Sequence, residues 1–150
     1  MGRTGDNVFE RRHMSNQVVA RFRDGRVMKG TSLDLDPAKR LFHLRRPAEK
    51  AIEIQLSELK ALFFVRSLDG DPARHEGSEA KPNDPRGRGS TLVKLTFSDG
   101  EVMVGHTIRY PPNRPYFYIT PVDPQSNNIR TLINRDAVQS MEVVAQDGAT

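Results

Sequence analysis

Apolar and polar residues alternate with a period of two in several short runs of this chain. Val18, Ala20 and Phe22 fall on one face of an extended segment, with Val19, Arg21 and Arg23 on the other. Val93, Leu95 and Phe97 repeat the inward set later in the chain. Each run ends at an Asp-Gly pair, Asp24-Gly25 and Asp99-Gly100. That dipeptide favours a tight hairpin, because Gly takes positive φ without steric cost and Asp tolerates it. The pattern predicts a third strand over 41–45 and again over 116–120, a fourth over 51–56 and 130–134, and a fifth over 61–66 and 140–144. Ser57-Glu58-Leu59 and Arg135-Asp136-Ala137 read as the turns between the fourth and fifth strands.

The two sets of strands align. Residues 18–30 match 93–105 at an offset of 75, and Leu33, Pro37, Phe42 and Leu44 then meet Ile108, Pro112, Phe117 and Ile119. After a longer loop at 122–128 the offset becomes 79, an insertion of four residues, and Ile54, Leu59, Leu62 and Phe64 meet Ile133, Val138, Met141 and Val143. The expected organisation is an N-terminal arm or short helix over 1–16, a first copy over 17–66, a flexible linker over 67–90, a second copy over 91–144 and a tail over 145–150. The linker assignment rests on its Gly, Pro and charge content. Gly30 and Gly105 sit inside the second strand of each copy, where glycine marks a bend. The fold class expected is therefore all-β, two tandem five-stranded small β-barrels.

One copy resembles the Sm-like small barrel: Gly25, Gly30 and Asp36 reproduce the spacing of the first Sm signature, followed by Pro37 and the apolar Leu41. In the second copy Pro111 stands where the first has Asp36. SH3-like barrels have strands of similar length. The whole chain is also similar to a family of uncharacterised bacterial proteins, through the run 57–66 (SELKALFFVR), Gly70-Asp71-Pro72 and the run 123–128 (DPQSNN). That resemblance implies a bacterial origin and a regulatory context.

Composition narrows the chemistry. Of 150 residues, 36% are hydrophobic and 28% charged, which suits a globular body, and no apolar stretch approaches a membrane span. The first residues lack the apolar segment of a secretory signal, and Asp6 occupies the position where an acylation motif needs Ser or Thr. The absence of cysteine removes disulfides, thiolate nucleophiles and Cys-based zinc sites, in keeping with a cytoplasmic location.

No catalytic constellation emerges. His13, His43, His75 and His106 are isolated from one another, Asp34 and Asp36 suit a turn, and Gly25 and Gly30 lack the Lys-Ser/Thr of a phosphate loop. No enzyme activity, metal or cofactor is expected. Sm-type base recognition would use an Asn where this chain has Arg40 and Pro115, and an Arg-Gly pair that neither turn contains. The paired motifs of cyclic-dinucleotide regulators are missing too, and Arg86-Gly87-Arg88-Gly89 is a short basic run in the linker.

Two surfaces remain. The net charge of +4 is uneven: 17–66 holds 11 basic and 6 acidic residues, whereas 91–144 holds 5 of each. Arg21, Arg23, Arg26, Lys29, Lys39, Arg40, Arg45 and Arg46 could offer phosphates a positive surface, or simply protect strand edges. The apolar outliers are Phe63, which faces outward where the second copy has Glu142, and Tyr116 and Tyr118, which lie opposite the core positions of their strand. The expected function is a non-enzymatic protein-interaction or regulatory adaptor with Phe63, Tyr116 and Tyr118 at its interface. The alternative is electrostatic nucleic-acid binding through the basic first copy. A protein partner or a homo-oligomer is expected, and no membrane.

Overall fold

The computed structural model describes residues 16–69 and 89–144. These form strands β1 (Asn16–Phe22), β2 (Val27–Ser32), β3 (Leu41–Leu44), β4 (Ile52–Gln55), β5 (Leu59–Val65), β6 (Thr91–Phe97), β7 (Val102–Thr107), β8 (Tyr116–Pro121), β9 (Asn128–Asn134) and β10 (Val138–Val143). Single turns of 3-10 helix occupy Pro37–Lys39, Leu56–Glu58 and Arg135–Ala137.

Both Asp-Gly hairpins close in the same way. The Phe22 amide donates to the Arg26 carbonyl at 2.9 Å, and Phe97 to Glu101 at 2.8 Å. Gly25 and Gly100 take φ values of 97° and 95°, which a side chain would resist. Asp24 and Asp99 each accept the amide two residues on, at 3.0 Å, so the aspartates supply the acceptor the turn needs.

Pairing then repeats register for register. Val18 lies opposite Gly30 and Phe64, and Val93 opposite Gly105 and Val143. Thr31 bridges Arg45 as His106 pairs with Thr120. A Cβ on Gly30 would come within 2.5 Å of the Arg45 carbonyl, and one on Gly105 would run into Ile119 and the Thr120 carbonyl. Glycine is needed at these two points because the neighbouring strand passes directly over the backbone.

The expectation of two tandem barrels is corrected by the sheet topology. Eight strands form one continuous sheet in the order β10-β6-β7-β8-β9-β5-β1-β2, β3 and β4 form a separate two-stranded sheet, and no barrel closes among the described residues. The halves join where β5 and β9 pair antiparallel, with Ala61 opposite Ile133, Leu62 opposite Leu132 and Phe63 opposite Thr131. Both strands are apolar on both faces. Leu62, Phe64 and Leu132 enter one core with Val18, Phe22, Phe42 and Leu44. Ala61 and Ile133 enter a second core with Val93, Leu95, Phe97 and Phe117. Because successive residues of a strand point to opposite faces, the two cores lie on opposite sides of the shared sheet. Left at an edge, either strand would expose an apolar face; paired, each buries both.

The alignment also predicts that Val143 is buried like Phe64, yet Val143 is 56% exposed. β10 is the last strand of the sheet, and among the described residues no further strand pairs beside it. The four-residue insertion has a visible role in its place. The Arg66 amide donates to the Asn127 carbonyl at 2.8 Å, Arg66 Nε to the Ser126 carbonyl at 3.0 Å, and Asn127 Nδ2 to the Ser67 carbonyl at 2.9 Å. The inserted loop thus grips the chain as it leaves β5, and Ser67, expected to begin a flexible linker, is held. The arm over 1–15, linker residues 70–88 with Arg86, Gly87 and Arg88, and the tail over 145–150 lie outside the described residues. Among the described residues no helix is long and apolar enough to cross a membrane.

Candidate functional site

The three aromatic side chains expected at a partner interface lie at the junction of the halves. Phe63, half-buried on β5, packs against the second core, and the Arg21 guanidinium sits 5.2 Å from its ring centre. Tyr116 and Tyr118, on β8, pack in the opposite sense against the first core. Arg130 lies 4.4 Å from the Tyr118 ring centre and 4.6 Å from that of Phe64, a cation between two faces from different halves. Burial lifts the Tyr118 hydroxyl above its ordinary pKa, Arg130 pulls it back and Asp36 adds to the rise, so the phenol is neutral and able to donate.

Lys60, which pattern reading overlooked, crosses the same junction. It is 8% exposed, lies 2.7 Å from the Asp99 carboxylate, pairs with Glu101, and sits 4.6 Å from the centre of the Phe97 ring. Burial alone would lower its pKa; the hydrogen bonds it donates to the Asp99 and Glu101 carboxylates outweigh that and hold it above the ordinary value. Asn134 completes the seam by donating to the Leu59 carbonyl at 2.9 Å while its own carbonyl caps Asp136 at 3.0 Å.

Most of the predicted basic surface is engaged within the chain. Arg21 lies 3.9 Å from Glu101, Arg23 donates to the Asp136 carbonyl at 3.2 Å, and Lys29 donates to the Leu68 carbonyl at 3.2 Å. Arg26 pairs with Asp24 at 2.8 Å and covers the Phe22 ring, while Arg46 pairs with Glu49 at 3.2 Å. Arg45 meets β2 through its backbone. Arg40 is set apart from these.

Arg40 shares one cavity of about 530 Å³ with Tyr116 and Tyr118. Its walls come from both halves: Pro37, Ala38 and Arg40 from the first, and from the second the 107–115 loop with His106 and β8. Three arginines line it, Arg40, Arg109 and Arg114, and no aspartate or glutamate does. Among the described residues none of the three is in an ion pair. Local geometry sets each wall. Asp36 accepts the Ala38 amide at 3.0 Å and starts the 3-10 turn, which ends at Arg40 with φ 63°. The Arg40 carbonyl then receives the Leu56 amide at 2.9 Å, and this fixes the residue in its left-handed conformation. On the other wall Arg135 donates its amide to the Pro115 carbonyl at 2.9 Å and its guanidinium to the Pro112 carbonyl at 2.5 Å. The loop carrying Arg109 and Arg114 is thereby tied to the 3-10 turn that follows β9.

Sequence reading placed Arg40 and the two tyrosines in different surfaces; the structure brings them together and adds Arg109 and Arg114. The available signal was a substitution between copies, since Arg109 aligns with Asp34 and Tyr118 with His43. In the first half those residues close the loop, with Asp34 2.6 Å from His43 Nδ1. The His43 contact and backbone amide hold Asp34 below its ordinary pKa despite some burial. Among the described residues no group of three or more His, Cys, Asp or Glu side chains is placed to hold a metal ion.

The model of a family of unknown function (DUF6982) matches residues 14–145. No curated protein and no solved structure matches the chain.

Proposed function

The chain belongs to this family of unknown function, DUF6982, and we propose that it works as a non-enzymatic protein-interaction module, a regulatory adaptor made of two copies of one five-stranded β unit. The repeated pairing registers of β1 with β2 and β5, and of β6 with β7 and β10, support the tandem reading.

One observation carries the interaction reading. Leu33 and Ile108, equivalent at the offset of 75, are 61% and 85% exposed, and Val27 and Val102, equivalent at the same offset, are 52% and 49% exposed. Leaving a large apolar side chain in water forgoes about 1.5–3 kcal/mol of burial. Both halves leave the same two positions open, at the start of the second strand and just beyond its end, although the residues around them differ. A partner that covers one such pair meets it again on the same chain, and two modest contacts on one scaffold reinforce each other. Nucleic-acid binding through the first copy draws less support, since Arg21, Arg23, Arg26, Lys29 and Arg46 already have partners within the chain.

The test is affinity capture with the full chain beside a Leu33→Ser/Ile108→Ser variant. A protein retained by the wild type and lost from the variant, at unchanged melting temperature, supports the reading. A protein retained equally by both removes this surface from the proposal.

A further inference from the structure

The cavity between the halves combines two kinds of chemistry. Arg40, Arg109 and Arg114 bring three positive charges with no carboxylate among the lining residues, which suits a ligand group carrying more than one negative charge. Tyr116, Tyr118, Pro112 and Pro115 add flat, largely apolar faces beside that charge, which suits a planar ring. A volume of about 530 Å³ is that of a small-molecule site.

Two further observations separate this cavity from an ordinary solvated surface. Arg40 sits at φ 63°, in a region where glycine is the unstrained choice. A charged side chain kept there at a backbone cost points to use of that side chain. The equivalent loop of the first half is closed by the Asp34–His43 contact, and in the second half Arg109 and Tyr118 replace that pair and both face the cavity. The halves thus diverge where the cavity opens, and they diverge toward positive charge and an aromatic ring.

We propose that this cavity binds a free nucleotide, its phosphates on Arg40, Arg109 and Arg114 and its base against the Tyr116 and Tyr118 side. Ile108 also lines this cavity, so the two proposals share that residue; Arg40→Gly and Arg109→Gln leave Leu33 and Ile108 in place and test the nucleotide site apart from the protein contact.

The experiment is isothermal titration of the full chain, without divalent cations, using ATP, UTP, inorganic tripolyphosphate, adenosine and a short single-stranded oligonucleotide. One of the two nucleotides should bind at least about tenfold more tightly than tripolyphosphate, the gain expected from one stacked base. Adenosine alone should give no measurable heat. Arg109→Gln and Arg40→Gly should each weaken nucleotide binding about tenfold, the loss of one charge-assisted contact. Arg40→Gly should do so with the melting temperature retained, because glycine accepts that backbone conformation. Tripolyphosphate binding as tightly as both nucleotides would overturn the proposal, as would an oligonucleotide outcompeting them. So would nucleotide binding that both arginine variants leave unchanged, or no nucleotide binding at all.

Discussion

β5 and β10 occupy equivalent places and meet different fates. Each pairs antiparallel with the first strand of its half, in the same register and with an irregularity near the same end. On its far side β5 meets β9, whereas β10 is the last strand of the sheet. The side chains that change are those that face away from the strand's own core: Lys60, Ala61 and Phe63 in β5 become Gln139, Ser140 and Glu142 in β10. β9 and β4 differ in the same way, since Leu132 in β9 is replaced by Glu53 in β4. A strand of fixed backbone pairing therefore joins or ends a sheet according to its outward residues. Apolar ones demand a neighbour, and a glutamate deters one.

Exchanging equivalent residues tests this directly. The largest effect is expected for Phe63→Glu, which gives β5 the outward residue of β10. Losing the ring and placing a carboxylate against the second core should cost about 3 kcal/mol. A urea-derived unfolding free energy within about 1 kcal/mol of wild type would show that the junction does not depend on this face.

Lys60→Gln, the residue found in β10, should cost about 1 kcal/mol, because the carboxylates it leaves are exposed and keep their hydration. Its pH dependence follows from the directions of the shifts. Lys60 holds Asp99 below the ordinary carboxylate value of 3.8, so that contribution is present above this value and is lost as pH falls through the lowered one. Lys60 itself is raised above 10.5, so its contribution is complete below this value and is lost as pH rises through the raised one. The difference in melting temperature between wild type and Lys60→Gln should be flat between about pH 5 and 9 and shrink only below 3.8 and above 10.5. A difference that grows on acidification would contradict the ion pair.

The smallest effect on stability is expected for Glu142→Phe, which makes the edge resemble the junction. Glu142 is exposed and lies 3.9 Å from Lys94, so folding should change by less than about 0.5 kcal/mol. Sedimentation should instead become concentration-dependent, as the unpaired edge gains an apolar face. Unchanged sedimentation would mean that backbone shape, and not this side chain, closes the edge.

The strands were legible because their information is local. Period-two alternation placed Val18, Ala20 and Phe22 in one core and Val93, Leu95 and Phe97 in the other, and the Asp-Gly pairs marked both hairpins. The outward apolar residues were legible as well, and of the covers open to Phe63, the second copy, the linker or another chain, it packs on the second core, while Tyr116 and Tyr118 pack on the first. The basic residues were legible as a count, but their partners were not, because Arg21 and Arg23 reach Glu101 and the Asp136 carbonyl far along the chain.

By itself the sequence determined the all-β class, the turns and the need of β5 for cover on both faces, since these follow from neighbours two to five residues apart. Only the tertiary structure decided that the cover is β9, that two cores share one sheet, and that Arg40 joins Arg109, Arg114, Tyr116 and Tyr118 around a cavity. An apolar face specifies that water must be excluded without specifying which strand excludes it. The residues that meet at the junction are some 70 positions apart, and nothing in a local pattern encodes that distance.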